Sequence, residues 1–214
     1  MVIYPPIKEA RTWGWQRQIR NLDDLKKLPT QKFGENKLTW YKDMGLLGHN
    51  GIDWGYNDGT EVYASHDGVI KFAGIDGAGG LGVDVWDGKS FFTRYWHLKS
   101  WIYNVGTPVK AGQLIAYGDN TGMSTGSHLH FGLKLTDNKG NTINKDNGYL
   151  GAIDPFPYMR WWEINMLTKE QVEMLQALEG YSDKQGAEYW SGKDLEVYLK
   201  TRIKDKIKDL EKYE

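Results

Sequence analysis

Residues 83–98 read VDVWDGKSFFTRYWHL, and this stretch decides the fold class. Val83 to Trp86 and Phe91 to Leu98 are runs rich in β-branched and aromatic residues, and Asp87-Gly88 between them is a turn pair. That combination is the strongest hairpin signal in the chain. Working outward, EVYA at 61–64 and GVIKFAG at 68–74 read as strands on either side of a His66-Asp67-Gly68 turn. PVKAGQLIAYG at 108–118 and HLHFGLKL at 128–135 add further strand-like runs. No long amphipathic helix interrupts this texture. The expected fold is therefore mainly β: a compact antiparallel two-sheet, barrel-sandwich-like domain over residues 30–158.

The flanks differ. Pro5-Pro6 breaks any early element, and LDDLKKL at 22–28 reads as one short helical turn in an N-terminal extension, 1–29, packed on the domain. After DPFPY at 154–158 the composition changes. Thr168 with Gln171 three residues on suggests a capping box. Leu167, Val172, Leu175 and Leu178 keep helical spacing as far as Gly180. Ser191 would cap a second helix carrying the stripe Leu195, Leu199, Ile203, Ile207 and Leu210. Residues 159–214 are thus expected to form a small C-terminal α-helical module with a solvated charged face.

Composition excludes several functions. The formal net charge is −1, so no broad electrostatic case exists for nucleic acid or an anionic membrane as partner. With no cysteine, a bound metal needs histidine and carboxylate ligands. No stretch approaches a membrane span, and MVIYPPIKEARTWGWQR at the start lacks the apolar core of a signal peptide.

The histidines carry the chemistry. In HLHFGLKL, side chains alternate between faces. Leu129, Phe131, Leu133 and Leu135 form an apolar face, while His128, His130 and Gly132 share the other, where Gly132 would leave room for a ligand. GHNGIDWG at 48–55 holds His49 and Asp53, with Gly51 between them allowing a close backbone approach. Imidazole and carboxylate are suitable zinc donors, and two close in sequence plus a third from a distant strand is a common catalytic plan. His97 ends a strand in which Phe91, Thr93, Tyr95 and His97 are expected to share a face; taken alone, it reads as a strand-end histidine bonded to a carbonyl. His66 reads as an exposed turn residue. Trp54, Tyr95 and Trp96 border the candidate site as core or groove wall.

Two motifs mislead. GAGGLG at 77–82 satisfies G-x-G-x-x-G, but a dinucleotide site needs a helix to open directly after it, and a strand-like run follows. GMSTG at 122–126 satisfies G-x-S-x-G, but Ser124 is followed by a strand instead of the helix of a nucleophile elbow. Ser124 and Thr125 are expected instead to shape the turn that presents His128 and His130.

GHNGIDW, YWHL and STGSHLHF, in that order, resemble the H-x-x-x-D, H and H-x-H motifs of the LytM/lysostaphin-type zinc metalloendopeptidases, peptidase family M23. The flanking KFGEN, GTEVYASHDGVIKFAG, GTPVKAGQLIAYGDNTG and IDPFPY agree, so the resemblance covers about 30–158. It implies that His49, Asp53 and His130 bind Zn²⁺, with His97 and His128 beside the activated water as catalytic residues. His128 is the expected general base and His97 the stabiliser of the oxyanion or leaving amine. It further implies bacterial peptidoglycan as partner and action on the extracytoplasmic wall; the sequence leaves the oligomeric state open, with a monomer as the expectation. Without a visible signal peptide, release or virion delivery of the bacteriophage-lysin type is expected, with a trimmed signal sequence as the alternative that explains the same observation. The competing expectation is a non-catalytic wall-binding or virion module whose metal site is structural or vestigial.

Overall fold

The computed structural model describes residues 1–12, 15–37 and 39–161; the helices expected beyond Gly180 and before it, from Leu167 onward, lie outside the described residues. Among the described residues ten strands and one short α-helix follow in order: β1 Glu9–Thr12, β2 Trp15–Gln18, α1 Leu22–Lys27, β3 Ile52–Gly55, β4 Glu61–Tyr63, β5 Gly68–Ile75, β6 Leu81–Trp86, β7 Phe91–Trp101, β8 Pro108–Val109, β9 Leu114–Gly118 and β10 His128–Leu135. The pairing is antiparallel throughout. β1 and β2 form a separate ribbon, and the main sheet runs β3-β10-β7-β6-β5-β8, with β4 and β9 joined to it through β7.

The hairpin at 83–98 forms as read. Trp86 faces Phe92 across β6 and β7. Asp87 closes the turn because its Oδ1 accepts from the backbone N–H groups of Lys89, Ser90 and Phe91 at 2.9, 2.8 and 3.0 Å. Gly88 supplies the positive φ of +82° that the turn requires.

β7 is long enough to serve two layers. Its first half lies between β6 and β10, and its last residues, from Leu98, pair with β9. The change happens at a bulge: Leu81–Val83 of β6 spans the same length as Tyr95–Leu98 of β7, so β7 carries one extra residue there. Strands that switch layers commonly do so at such a bulge, which bends the strand and raises its twist. The main sheet thus branches at β7, one arm continuing through β6 and β10 and the other through β9 and β4.

The core is filled from alternate positions. Ile52 and Trp54 of β3, Leu129, Phe131 and Leu133 of β10, and Tyr95 of β7 are fully buried. Trp54 and Tyr95 both pack their rings on Phe131. Ile3, Ile7 and Leu25 from the N-terminal residues join the same core. Helix α1 is capped by Asn21, whose Oδ1 accepts from Asp24 N–H at 2.8 Å, and the Leu25 carbonyl accepts from Trp54 Nε1 at 3.0 Å.

Three expectations are corrected. His66 is buried, not exposed: its Nε2 lies 3.0 Å from Thr93 Oγ1 and its ring packs on Phe91. β4 pairs with β9 and not with β5, so the SHDG bend crosses between layers and its histidine falls inside. Burial holds the His66 imidazole below its ordinary pKa. Gly132 is buried too, and a Cβ there would rest against Arg94 Cβ at 3.4 Å; the space beside it belongs to Arg94 and not to a ligand. The third concerns His97, whose side chain does not follow Tyr95 into the core.

Candidate metal centre

His128 and His130 project from one face of β10 while Leu129 and Phe131 hold the opposite face in the core. β3 pairs with β10 so that Asp53 stands opposite His130. His49 enters from the loop before β3. Its backbone is clamped by residues 30–35: Gly34 N–H donates to the His49 carbonyl at 2.8 Å and His49 N–H to the Glu35 carbonyl at 2.9 Å. Asp53 N–H donates to the Gln31 carbonyl at 2.8 Å. Residues 30–35 therefore act as a backbone splint for both ligand candidates, with Gly34 and Glu35 of KFGEN holding His49 and Gln31 just before it holding Asp53.

Three donor atoms converge. His49 Nε2 lies 3.0 Å from His130 Nδ1, and Asp53 Oδ1 is 3.1 Å from each. All three residues are buried, and among the described residues they form the one group with this arrangement. Donors 2.0–2.1 Å from a tetrahedral zinc stand roughly 3.3 Å apart, so the spacing fits such an ion. Gly51 permits it, because a Cβ there would come within 2.6 Å of His130 Cε1.

Hydrogen bonds settle which nitrogens face the centre. His49 Nδ1 points at the Lys32 carbonyl, 3.3 Å away. A carbonyl only accepts, so the proton belongs on Nδ1 and Nε2 keeps its lone pair for the centre. Burial pushes His130 down to about 4 against the pull of Asp53. For Asp53 burial acts upward, but the close imidazoles of His130 and His49 outweigh it and hold the carboxylate well below its usual range. Both effects favour the forms that bind a metal, a neutral His130 and an ionised Asp53, near neutrality.

The other two histidines flank the centre. His128 Nε2 is 3.6 Å from Asp53 Oδ2, and the His97 and His128 rings lie 4.5 Å apart. His128 Nδ1 donates to the Gly126 carbonyl at 2.8 Å, with Ser124 Oγ at 3.0 Å beside it. His97 Nδ1 donates to the Thr121 carbonyl at 2.7 Å. Both therefore turn an unprotonated Nε2 inward when neutral. Burial, and then proximity to His128, pushes His97 down to about 4. Ser124 is no activated nucleophile, since the nitrogen facing it carries the proton. Its hydroxyl donates to the Gly126 carbonyl and shapes the turn.

His97 reaches this place through the bulge. It sits at φ +62°, a left-handed conformation that costs a non-glycine residue energy and is kept only where the surroundings impose it. The consequence is that Trp96 and His97, adjacent in sequence, both face the centre: Trp96 stacks on His130 with centroids 5.0 Å apart. The strand-end carbonyl bond expected of His97 is present as well, and it serves to orient the ring. Of the bordering aromatics, Trp54 and Tyr95 are core, and Trp96 alone of the three touches the site. Tyr41, not singled out from sequence, lies 6.2 Å from His49 and is raised to about 12 by burial and Asp53. Nothing in its local sequence signals this. The carbonyls of Lys32, Thr121 and Gly126 are equally silent, because any residue supplies one.

Residues 47–145 match the model of peptidase family M23. These residues form an M23 peptidase domain. They include all five histidine and aspartate positions of the centre. The chain is 32% identical over 127 residues to the peptidoglycan DD-endopeptidase ShyA of Vibrio cholerae, covering 59% of this chain and 29% of that protein. It is 38% identical over 124 residues to the glycyl-glycine endopeptidase ALE-1 of Staphylococcus capitis, covering 55% of this chain and 31% of that protein. The chain thus spans about a third of the length of these relatives. The chain also superposes on the catalytic domain of the antimicrobial peptidase lysostaphin from Staphylococcus simulans, with TM-score 0.52 and 28% identity over 65% of this chain and 98% of that one. Among the described residues no helix is long and apolar enough to cross a membrane.

Proposed function

We propose that the protein is a zinc-dependent endopeptidase that cuts peptide bonds of bacterial peptidoglycan, in its stem peptides or cross-bridges. The observation that carries this reading is the meeting of His49 Nε2, Asp53 Oδ1 and His130 Nδ1 at 3.0–3.1 Å, with two more histidines aimed at the same space. The three residues would hold the metal. A zinc ion so held supplies Lewis acidity and makes water a nucleophile near neutrality.

The chain's own groups would handle the protons. His128 Nε2 is unprotonated when neutral, stands over Asp53 and takes the proton of the attacking water; it then returns that proton to the leaving amine. His97, held by Thr121 with its Nε2 lone pair inward, accepts a hydrogen bond from the leaving amine N–H. In its neutral form it has no proton to offer an oxyanion, so the leaving-group role suits it better. A purely structural zinc site has no need of either residue. Two of the relatives are named for different bonds, a peptidoglycan DD-endopeptidase and a glycyl-glycine endopeptidase, and the bond cut here is open to direct measurement.

The test is clearing of purified cell walls by the full chain. Chelation is expected to abolish clearing and zinc to restore it, with mass spectrometry of the fragments naming the bond. Metal-loaded protein that binds walls and leaves their peptides intact would refute the proposal and favour a wall-binding module.

A further inference from the structure

The glycine-rich stretch at 77–82 takes no part in the chemistry above, yet the centre leans on it. Trp96 lies with one face on His130 and the guanidinium of Arg94 4.6 Å over its ring. Arg94 is fixed in turn by Asp84, which accepts from its Nε and Nη2 at 2.8 and 2.7 Å. The indole fits there only because the facing loop lacks side chains: a Cβ at Gly79 would collide with its ring, and one at Gly82 would stand 2.6 Å from its Cδ1.

The same loop grips the segment before β10. Leu81 N–H donates to Thr121 Oγ1 at 3.0 Å, Met123 N–H donates to the Ala78 carbonyl at 2.7 Å, and Gly80, at φ +65°, abuts Thr121 and Gly122 so closely that no Cβ fits. Thr121 is the residue whose carbonyl orients His97. One loop thus touches the supports of both a metal ligand and a flanking histidine.

We propose that the loop 77–82 is a positioning element of the centre: it seats Trp96 so that the indole fixes the plane of His130, and it sets the Thr121 carbonyl that fixes His97. This rests on the reading that His49, Asp53 and His130 hold zinc. An imidazole free to rotate about its χ angles presents Nδ1 to the ion only part of the time, whereas one held flat against an indole presents it always. Groups that orient a metal ligand in this way typically change affinity by 10–100-fold.

The experiment measures zinc affinity by competition with a chromophoric chelator, together with nitrogen-15 NMR of the histidine rings, in the full chain. Trp96→Ala is expected to weaken zinc about 10–100-fold, and Trp96→Phe to recover most of the loss because a flat ring is kept. Gly82→Ala, which pushes the indole without emptying its site, is expected to weaken zinc in the same direction. Gly80→Ala is expected to shift the His97 tautomer away from the Nδ1–H form while changing zinc affinity much less. Unchanged zinc affinity in both Trp96→Ala and Gly82→Ala, or an unmoved His97 tautomer in Gly80→Ala, would overturn the inference while leaving the metal reading intact. Failure of the unaltered protein to bind zinc would overturn the metal reading, and the inference with it.

Discussion

Lys134 is an ammonium that the fold buries and does not pair. It follows Gly132 on the polar face of β10, is only 9% exposed, and its Nζ has no hydrogen bond or ion pair among the described residues. Burial, helped by the charges of Arg94 and Lys145, pulls its pKa from 10.5 to about 8, against the attraction of Asp84 and Asp76. At about 1.4 kcal/mol per tenfold change in proton affinity, keeping this lysine charged at pH 7 costs the fold about 3 kcal/mol. Replacing it by methionine, of similar length and without charge, is expected to stabilise the protein by about 1–3 kcal/mol at pH 7. The sign with pH follows from proton counting. Between about 8 and 10.5 the unfolded chain binds the proton that the folded chain has released, so the wild-type protein gains stability as pH rises through that window. Lys134→Met lacks this gain, and its advantage is expected to shrink between pH 7 and pH 10. Urea unfolding of both proteins at the two pH values reads the difference directly, since groups common to both cancel. A variant less stable at pH 7, or an advantage that grows with pH, would refute the burial argument.

Other outcomes follow from the site. His128→Ala is expected to retain zinc within about threefold while wall cleavage falls by about 10²–10⁴-fold, the usual worth of a general base; zinc loss in that variant would show that the roles within the H-x-H pair are reversed. His49→Ala and Asp53→Ala are expected to lose the metal itself, measured as bound zinc after dialysis. His66 is held neutral in the fold, with its pKa below 6.5, so the unfolded chain binds more protons on acidification and stability falls as pH drops below that value. His66→Gln, which keeps a partner for Thr93, is expected to lose less stability than wild type between pH 7 and pH 5; an equal or larger loss would refute the assignment.

Much of this was legible in the chain because short-range rules suffice for it. The Asp87-Gly88 turn between two aromatic-rich runs specifies its hairpin locally, and the alternation in HLHFGLKL separates Leu129 and Phe131 from His128 and His130 without any knowledge of neighbours. Gly51 was readable as a point of close approach, although what approaches, the ring of His130, was not. His66 was misread because its surroundings come from Thr93 and Phe91, more than twenty residues away, and a bend looks the same in sequence whether it faces water or the interior.

The sequence by itself determined the strand pattern, the donor chemistry and the ligand candidates, because alternation and side-chain functional groups are properties of the residues. Tertiary structure decided how those candidates act. One extra residue in β7 places Trp96 under His130 and turns His97 toward His128, which alternation alone forbids. Backbone carbonyls at Lys32, Thr121 and Gly126 choose which nitrogen of His49, His97 and His128 carries the proton. A run of glycines that resembles a phosphate loop becomes the seat of an indole. Each of these depends on pairing register and on groups every residue shares, so no local pattern in the chain records them.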